Sequence, residues 1–182
     1  PGVTYSQFHA VDDPTDPDND RFFHGAAIIE HDGVFYTSYA NSAVDENSAT
    51  ERMRGRTSYD NGLTWSPVEV IAPDPDGPLG PDRRSHGSFF SHDGELWAFP
   101  ARFGTGSGGT FPNLSLEAVR LKSDGAWENK GQLAPNSWSL DTPTQMANGK
   151  WIMGGVDSNF RATVIISSGP EMTDADDNLL PW

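Results

Sequence analysis

The sequence contains no cysteine, which excludes both disulfide stapling and thiolate chemistry. Basic residues are scarce too: 12 Lys and Arg stand against 26 Asp and Glu, a formal net charge of −14. Such a surface repels nucleic-acid phosphates and anionic membranes, so neither is an expected partner, and a polyanionic ligand needs a local cluster of the few arginines. No apolar run approaches the roughly 20 residues that cross a bilayer. Helical periodicity with caps is absent, as are HExxH, a phosphate-cradling loop, a dinucleotide fingerprint and clustered zinc-ligand spacing; no cofactor and no metal is expected. The acidic run DPTDPDND reads as a solvated turn, because it lacks the spacing of an EF-hand loop. The sequence opens at Pro1 without a basic and apolar leader, so any secretion signal was removed or lies outside it, and a secreted or periplasmic location is the expectation.

What is present favours many short strands. Apolar residues make up only 35%, whereas 19 Gly and 14 Pro supply turns, and 6 Trp, 10 Phe and 4 Tyr supply the anchors that a disordered tail lacks. Three segments align without gaps: DGVFYTSYA from Asp32, DGELWAFPA from Asp93 and NGKWIMGGV from Asn148, spaced by 61 and 55 residues. Each opens on a DG or NG pair, the preferred two-residue hairpin turn, and runs into an apolar and aromatic strand. GAAIIE, GSFFS and TPTQMA precede them as hairpin partners. MRGRTS, LSLEAVRLK and RATVIIS follow as third strands, with WSPVEVI and WENKGQL as edges of the first two units.

Four short strands per unit, with an apolar face that one sheet cannot bury alone, fit the blades of a propeller. The reading is therefore all-β, a partial β-propeller spanning residues 1–182 with about three four-stranded blades. A preceding strand and acidic loop occupy 1–21, the first blade 22–72, the second 82–134 and a third, incomplete blade 137–182. The missing blades come from the rest of a full-length chain or from another subunit. A solitary β-sandwich of the same hairpins is the competing architecture.

One octapeptide carries a family resemblance. SYDNGLTW, Ser58 to Trp65, matches Ser-x-Asp-x-Gly-x-Thr-Trp and resembles the Asp-box, or BNR repeat, of the sialidase-like propeller superfamily of carbohydrate-active proteins. SDGAW at Ser123 to Trp127 looks like a shortened copy. Physically, the Asp60 carboxylate can accept turn amides, Gly62 permits a backbone angle denied to other residues, and Trp65 can plug the junction below; Ser58 and Thr64 complete the box. These are structural roles. The resemblance implies a six- or seven-bladed ring acting on or binding a glycan, without choosing among glycosidase, polysaccharide lyase and glycan-binding propeller.

Propeller ligands sit at one end of the central channel. Immediately before the inner strands stand FFHG and SHG, which place His24 and His86 at equivalent points of adjacent blades, each a candidate general acid or base. Arg84 and Arg102, at the same end of the second hairpin, are candidate ligands for a sugar carboxylate. Tyr39 is a candidate for proton transfer with His24. Asn41 is a candidate for a hydroxyl or carboxyl group, Asp141 and Asp157 are further polar candidates at the inner strands of the third unit, and Glu46 and Glu51 can reach over the cavity from a polar insertion. A His/Tyr/Arg set of this kind resembles that of uronate lyases on propeller scaffolds, and paired carboxylates would instead serve a glycosidase. The reading is of an enzyme acting on a glycan, with an anionic polysaccharide among the candidates, by glycoside hydrolysis or uronate β-elimination; the alternative is a non-catalytic glycan-binding or assembly propeller.

Overall fold

The computed structural model describes residues 6–10, 16, 21–45, 48, 50–72, 82–104 and 111–182. The first five positions of the expected leading strand, Glu46 and most of the acidic run lie outside these residues, as do most of the two Gly/Pro-rich breaks. Among the described residues no helix occurs, and none long and apolar enough to cross a membrane.

Eleven strands form three antiparallel sheets. In the first, β1 (Phe22–His31), β2 (Val34–Ser42), β3 (Arg52–Ser58) and β4 (Glu69–Ala72) pair in chain order. The second repeats this with β5 (Asp82–His92), β6 (Glu95–Gly104), β7 (Ser115–Leu121) and β8 (Trp127–Pro135). The third has β9 (Thr144–Gln145), β10 (Trp151–Val156) and β11 (Ala162–Ile166).

The turns explain the hairpins. Asp32 and Gly33 have φ of 51° and 80°, and Asp93 and Gly94 have 50° and 77°, the two left-handed residues that match the twist of flanking strands. At the third turn only Gly149 is left-handed, φ 84°. Two strands are shorter than their sequence suggests. The fourth begins at Glu69 rather than Trp65, because Pro67 offers no donor and Ser66 instead ties its amide to the Thr57 carbonyl at 2.8 Å. The ninth shrinks to Thr144–Gln145, since Pro143 lacks a donor on one side and Met146 turns back to Lys150 at 2.7 Å on the other.

The sheets stack face to face through their alternating apolar residues. Met53 and Ile71 of the first sheet meet Phe89, Leu96, Ala98 and Val119 of the second. The opposite face of the second sheet presents Phe90, Trp97, Phe99 and Leu116 to Met153 and Ile165 of the third. β5 packs across β1, β2 and β3, so the inner strands of the first two sheets lie side by side. The outer turn at Ser58–Trp65 is self-contained: Asp60 Oδ1 accepts from the amides of Leu63 and Thr64 at 3.1 and 2.8 Å, Oδ2 accepts from the Thr64 hydroxyl at 2.6 Å, and the Gly62 amide donates to Ser58 Oγ at 2.9 Å. These bonds, the Thr64 hydroxyl first, hold the Asp60 carboxyl at about 2. Trp65 donates its indole N–H to Ser6 at 3.1 Å, pinning the leading segment over the first sheet.

Candidate functional site

Both inner hairpins carry an irregularity at the same place. His24 pairs with Ala40 and Ala27 with Ser38, so two residues on β1 oppose one on β2; Ser85 pairs with Ala101 and Gly87 with Pro100, so His86 is the extra residue. A bulge bends its strand and re-aims the side chain there. His86 within one bulge and His24 just before the other meet across the two sheets, ring centroids 4.2 Å apart and steeply inclined at 67°. Gly25, with φ +63°, permits the approach: a Cβ at this position would overlap the His86 ring and lie 2.6 Å from Nε2.

Glu51, at the entrance to β3, completes the group. Its Oε1 lies 3.4 Å from His24 Nε2 and accepts a short hydrogen bond from the Ser85 hydroxyl. Ser85 Oγ in turn sits 3.0 Å from His86 Nδ1. Because the carboxylate can only accept, Ser85 donates to it and must accept from His86, which assigns the His86 proton to Nδ1 and the lone pair to Nε2. Burial pushes the His86 imidazole down to about 4, with His24 acting in the same direction and Glu51 opposing, so it is neutral at ordinary pH. From the third sheet, Trp138 donates its indole N–H to the His86 carbonyl at 3.0 Å and packs on the ring at 4.8 Å. The His24 side chain keeps 24% of its surface while Glu51 keeps none, so His24 is the member that meets solvent.

His24 opens onto a cavity of about 250 Å³ walled by Phe8, His9, Phe23, Ala26 and Tyr39. The wall opposite His24 has its own polar network. Arg56 donates to His9 Nδ1 at 3.0 Å, so that nitrogen is an acceptor, and the Tyr39 hydroxyl also donates to it at 3.3 Å. The other His9 nitrogen faces Asp16 at 3.7 Å, and Asp16 holds Arg54 at 2.9 Å. Burial raises the Tyr39 phenol to about 12 against the opposing pull of Arg56.

The structure thus brings His24, His86 and Glu51 into one cluster, with Tyr39 across the cavity bonded to His9 rather than to His24. The second-blade arginines face one another on a different polar group. Arg84 lies buried against Glu117 at 2.5 Å, and Arg102 bridges Asp82 at 2.5 Å and Glu117 at 3.3 Å. Asn41 is fully buried and donates to the Phe22 carbonyl at 3.1 Å, tying down the start of β1. Asp157 closes the β10–β11 turn, accepting from the Asn159 and Arg161 amides at 2.8 and 3.0 Å and pairing with the Arg161 guanidinium at 2.7 Å; the Arg161 amide bond is the main cause of its lowered pKa. Asp141 is exposed, beside a separate hollow with Thr142, Thr144, Ile152 and Val164 on the third sheet. Ser85, Trp138 and His9 are site residues that reading the sequence passed over. Ser85 was detectable in principle as the neighbour of His86, whereas Trp138 arrives from another sheet.

No family model and no curated protein matches the chain. Solved structures do. Hadza microbial sialidase Hz136 superposes with a TM-score of 0.60 at 19% identity, over 80% of this chain and 35% of that one. A mutant of Trypanosoma rangeli sialidase displaying trans-sialidase activity gives 0.56 at 14%, over 87% and 30%. Zg3597, a family 117 glycoside hydrolase from the marine bacterium Zobellia galactanivorans, gives 0.56 at 14%, over 82% and 52%. The chain spans from under a third to about half the length of these proteins. Together with the three stacked sheets, the likeness makes the fold a sialidase-like β-propeller in partial form.

Proposed function

We propose that this protein is a carbohydrate-active enzyme whose proton-transfer group is His24, oriented by Glu51 and backed by His86. The observation that carries the reading is the convergence of two imidazoles, one beside and one within the bulges of adjacent inner hairpins, around one buried carboxylate beside an aromatic-walled cavity. Glu51 as acceptor places the His24 proton on Nε2 and the lone pair on Nδ1, the same orienting job that a carboxylate performs behind a catalytic histidine in other acid–base sites. Phe8, Phe23 and Tyr39 offer apolar faces suited to a sugar ring. The structural neighbours, two of them sialidases and one a glycoside hydrolase by name, support a glycan as the substrate class.

Within that class the site favours β-elimination at a uronate. Glu51 and Asp16, the carboxylates beside this cavity among the described residues, are both buried against basic partners, whereas hydrolysis commonly needs two carboxyl groups that reach the glycosidic oxygen and its opposite face. Elimination needs a base at C5, which His24 supplies, and an acid at the leaving oxygen, for which the Tyr39 phenol stays protonated.

The test is to incubate the protein with uronate polysaccharides and with sialosides, following both unsaturated-uronate absorbance and reducing ends. Elimination gives both signals; reducing ends alone indicate hydrolysis, and glycan retention without product indicates a binding protein. His24→Asn should reduce turnover by about 100-fold or more. Full activity in both His24→Asn and His86→Asn would overturn the assignment.

A further inference from the structure

We propose that His24, Glu51 and His86 form a binding site for a divalent transition metal of the zinc type, and that occupation of this site switches the enzyme off. The donor set is two imidazole nitrogens and one carboxylate oxygen, the combination that borderline metals such as Zn²⁺ favour and that Ca²⁺ and Mg²⁺ do not. The three ligand atoms lie within 4.8 Å of one another. Four-coordinate zinc, at about 2.0 to 2.2 Å from each ligand, requires donors about 3.3 Å apart. His24 Nε2 and Glu51 Oε1, at 3.4 Å, already meet that spacing, so only modest closure is left for the third donor.

The hydrogen bonds around the trio orient it for a cation. Ser85 accepts from His86 Nδ1–H and so directs the lone pair to Nε2, on the edge of the ring that faces Gly25. The same hydroxyl donates to Glu51, fixing the carboxylate, and this pattern of outer hydrogen bonds holding imidazole and carboxylate ligands is what metal sites use. Trp138 clamps the backbone and ring of His86 from the third sheet. His24, with a quarter of its side chain exposed, is the route of entry, and three protein ligands leave a fourth position for water.

Binding at Nε2 moves the proton of the neutral His24 imidazole from Nε2 to Nδ1, which occupies the lone pair that Nδ1 would otherwise offer as a base. An imidazole whose Nε2 is metal-bound and whose carboxylate partner is also a ligand no longer has the orientation or basicity it had in the His24–Glu51 pair. Inhibition therefore rests on the reading of His24 as the proton-transfer group, whereas binding itself does not.

Calorimetric titration of Zn²⁺ into chelator-treated protein, without substrate, reads binding directly, and Co²⁺ provides a visible spectrum that reports nitrogen ligands. One equivalent should bind. His24→Asn and Glu51→Gln should abolish saturable binding, and Ser85→Ala, which retains all three ligands, should weaken it about 10-fold or more. His92→Asn tests the second grouping, His92, Asp93 and Glu171, and should leave binding intact. Circular dichroism separates a lost ligand from a lost fold. Absence of saturable binding, or binding that survives His24→Asn and Glu51→Gln but not His92→Asn, overturns the site. If the trio binds Zn²⁺ but no glycan is cleaved, the enzymatic reading alone fails; if a confirmed activity persists at saturating Zn²⁺, the inhibitory role is overturned.

Discussion

Gly25→Ala should injure the candidate site more than the fold, and its size can be worked out against a matched control. Two glycines of the first hairpin are left-handed: Gly25 with φ +63° and Gly33 with φ +80°. Placing alanine in that conformation costs about 1 to 2 kcal/mol at either position. At Gly33 nothing lies within 4 Å of the new Cβ, so backbone strain is the whole effect. At Gly25 the methyl group enters the His86 ring, 2.6 Å from Nε2 and nearer its ring carbons. That ring is wedged between His24 at 4.2 Å and Trp138 at 4.8 Å and held by Ser85 at 3.0 Å, so it cannot yield without disturbing those partners. Overpacking of this kind adds about 1 to 3 kcal/mol. Urea unfolding followed by tryptophan fluorescence should rank wild type above Gly33→Ala above Gly25→Ala. A displacement of His86 by about 1 Å should also lower turnover about 100-fold in Gly25→Ala, with Gly33→Ala near wild type. Equal stability of the two variants, or equal activity, would refute the claim that Gly25 is required for the meeting of the two imidazoles.

Four further outcomes are expected. Asp60→Asn should lower the thermal midpoint at neutral pH and flatten the acid branch of the stability curve: the folded carboxyl titrates at about 2, below its unfolded value near 3.8, so its contribution is complete above about pH 4 and disappears as pH falls through 2. Glu117→Ala removes the carboxylate shared by the buried Arg84 and by Arg102, and should destabilise by about 3 kcal/mol in chemical denaturation. Trp138→Phe keeps the aromatic packing but deletes the bond to the His86 carbonyl, costing about 1 kcal/mol, with a larger proportional loss in turnover than in stability. Tyr39→Phe removes the hydroxyl from His9 and should cost about 1 kcal/mol; if Tyr39 is the acid of an elimination, turnover falls far more than that figure accounts for, and an unchanged turnover would exclude the role.

The strands were legible because their signals are local. A DG pair sets two left-handed residues and a hairpin, and an alternating apolar run beyond it needs no distant information. The shortened strands were also governed locally, but by Pro67 and Pro143 acting against favourable neighbours. His24 and His86 were legible by a different route, through repetition: HG precedes the same hairpin in two units, although the strand registers match His24 to Ser85 and set the two histidines one position apart on adjacent sheets. Nothing in that argument supplies the hydrogen-bond partner of a side chain. It could not say that Tyr39 bonds to His9 from the leading segment, that Arg84 and Arg102 converge on Glu117, or that Trp138 reaches His86 from the third sheet, since each pairing depends on contacts between residues far apart in sequence.

The position of Glu51 shows how an irregular segment can complete a site that repetition begins. The inner strands supply one histidine each and would by themselves give two like groups side by side, whose protonated forms repel. The residues that differ between the units break this symmetry. The first unit carries a polar connection between β2 and β3 whose last residue, Glu51, folds back fully buried beneath both rings. Its carboxylate takes the His24 proton side and the Ser85 hydroxyl together, which assigns the two imidazoles opposite tasks: His24 at the cavity wall, His86 neutral and enclosed. A buried carboxylate without partners would be costly, and His24 and the Ser85 hydroxyl supply them here. Glu51→Gln preserves shape and removes that charge; the hold on the Nε2–H tautomer of His24 should then loosen, measured by the nitrogen resonances of the imidazole, and an unaltered His24 tautomer would break the link between the repeat and its chemistry.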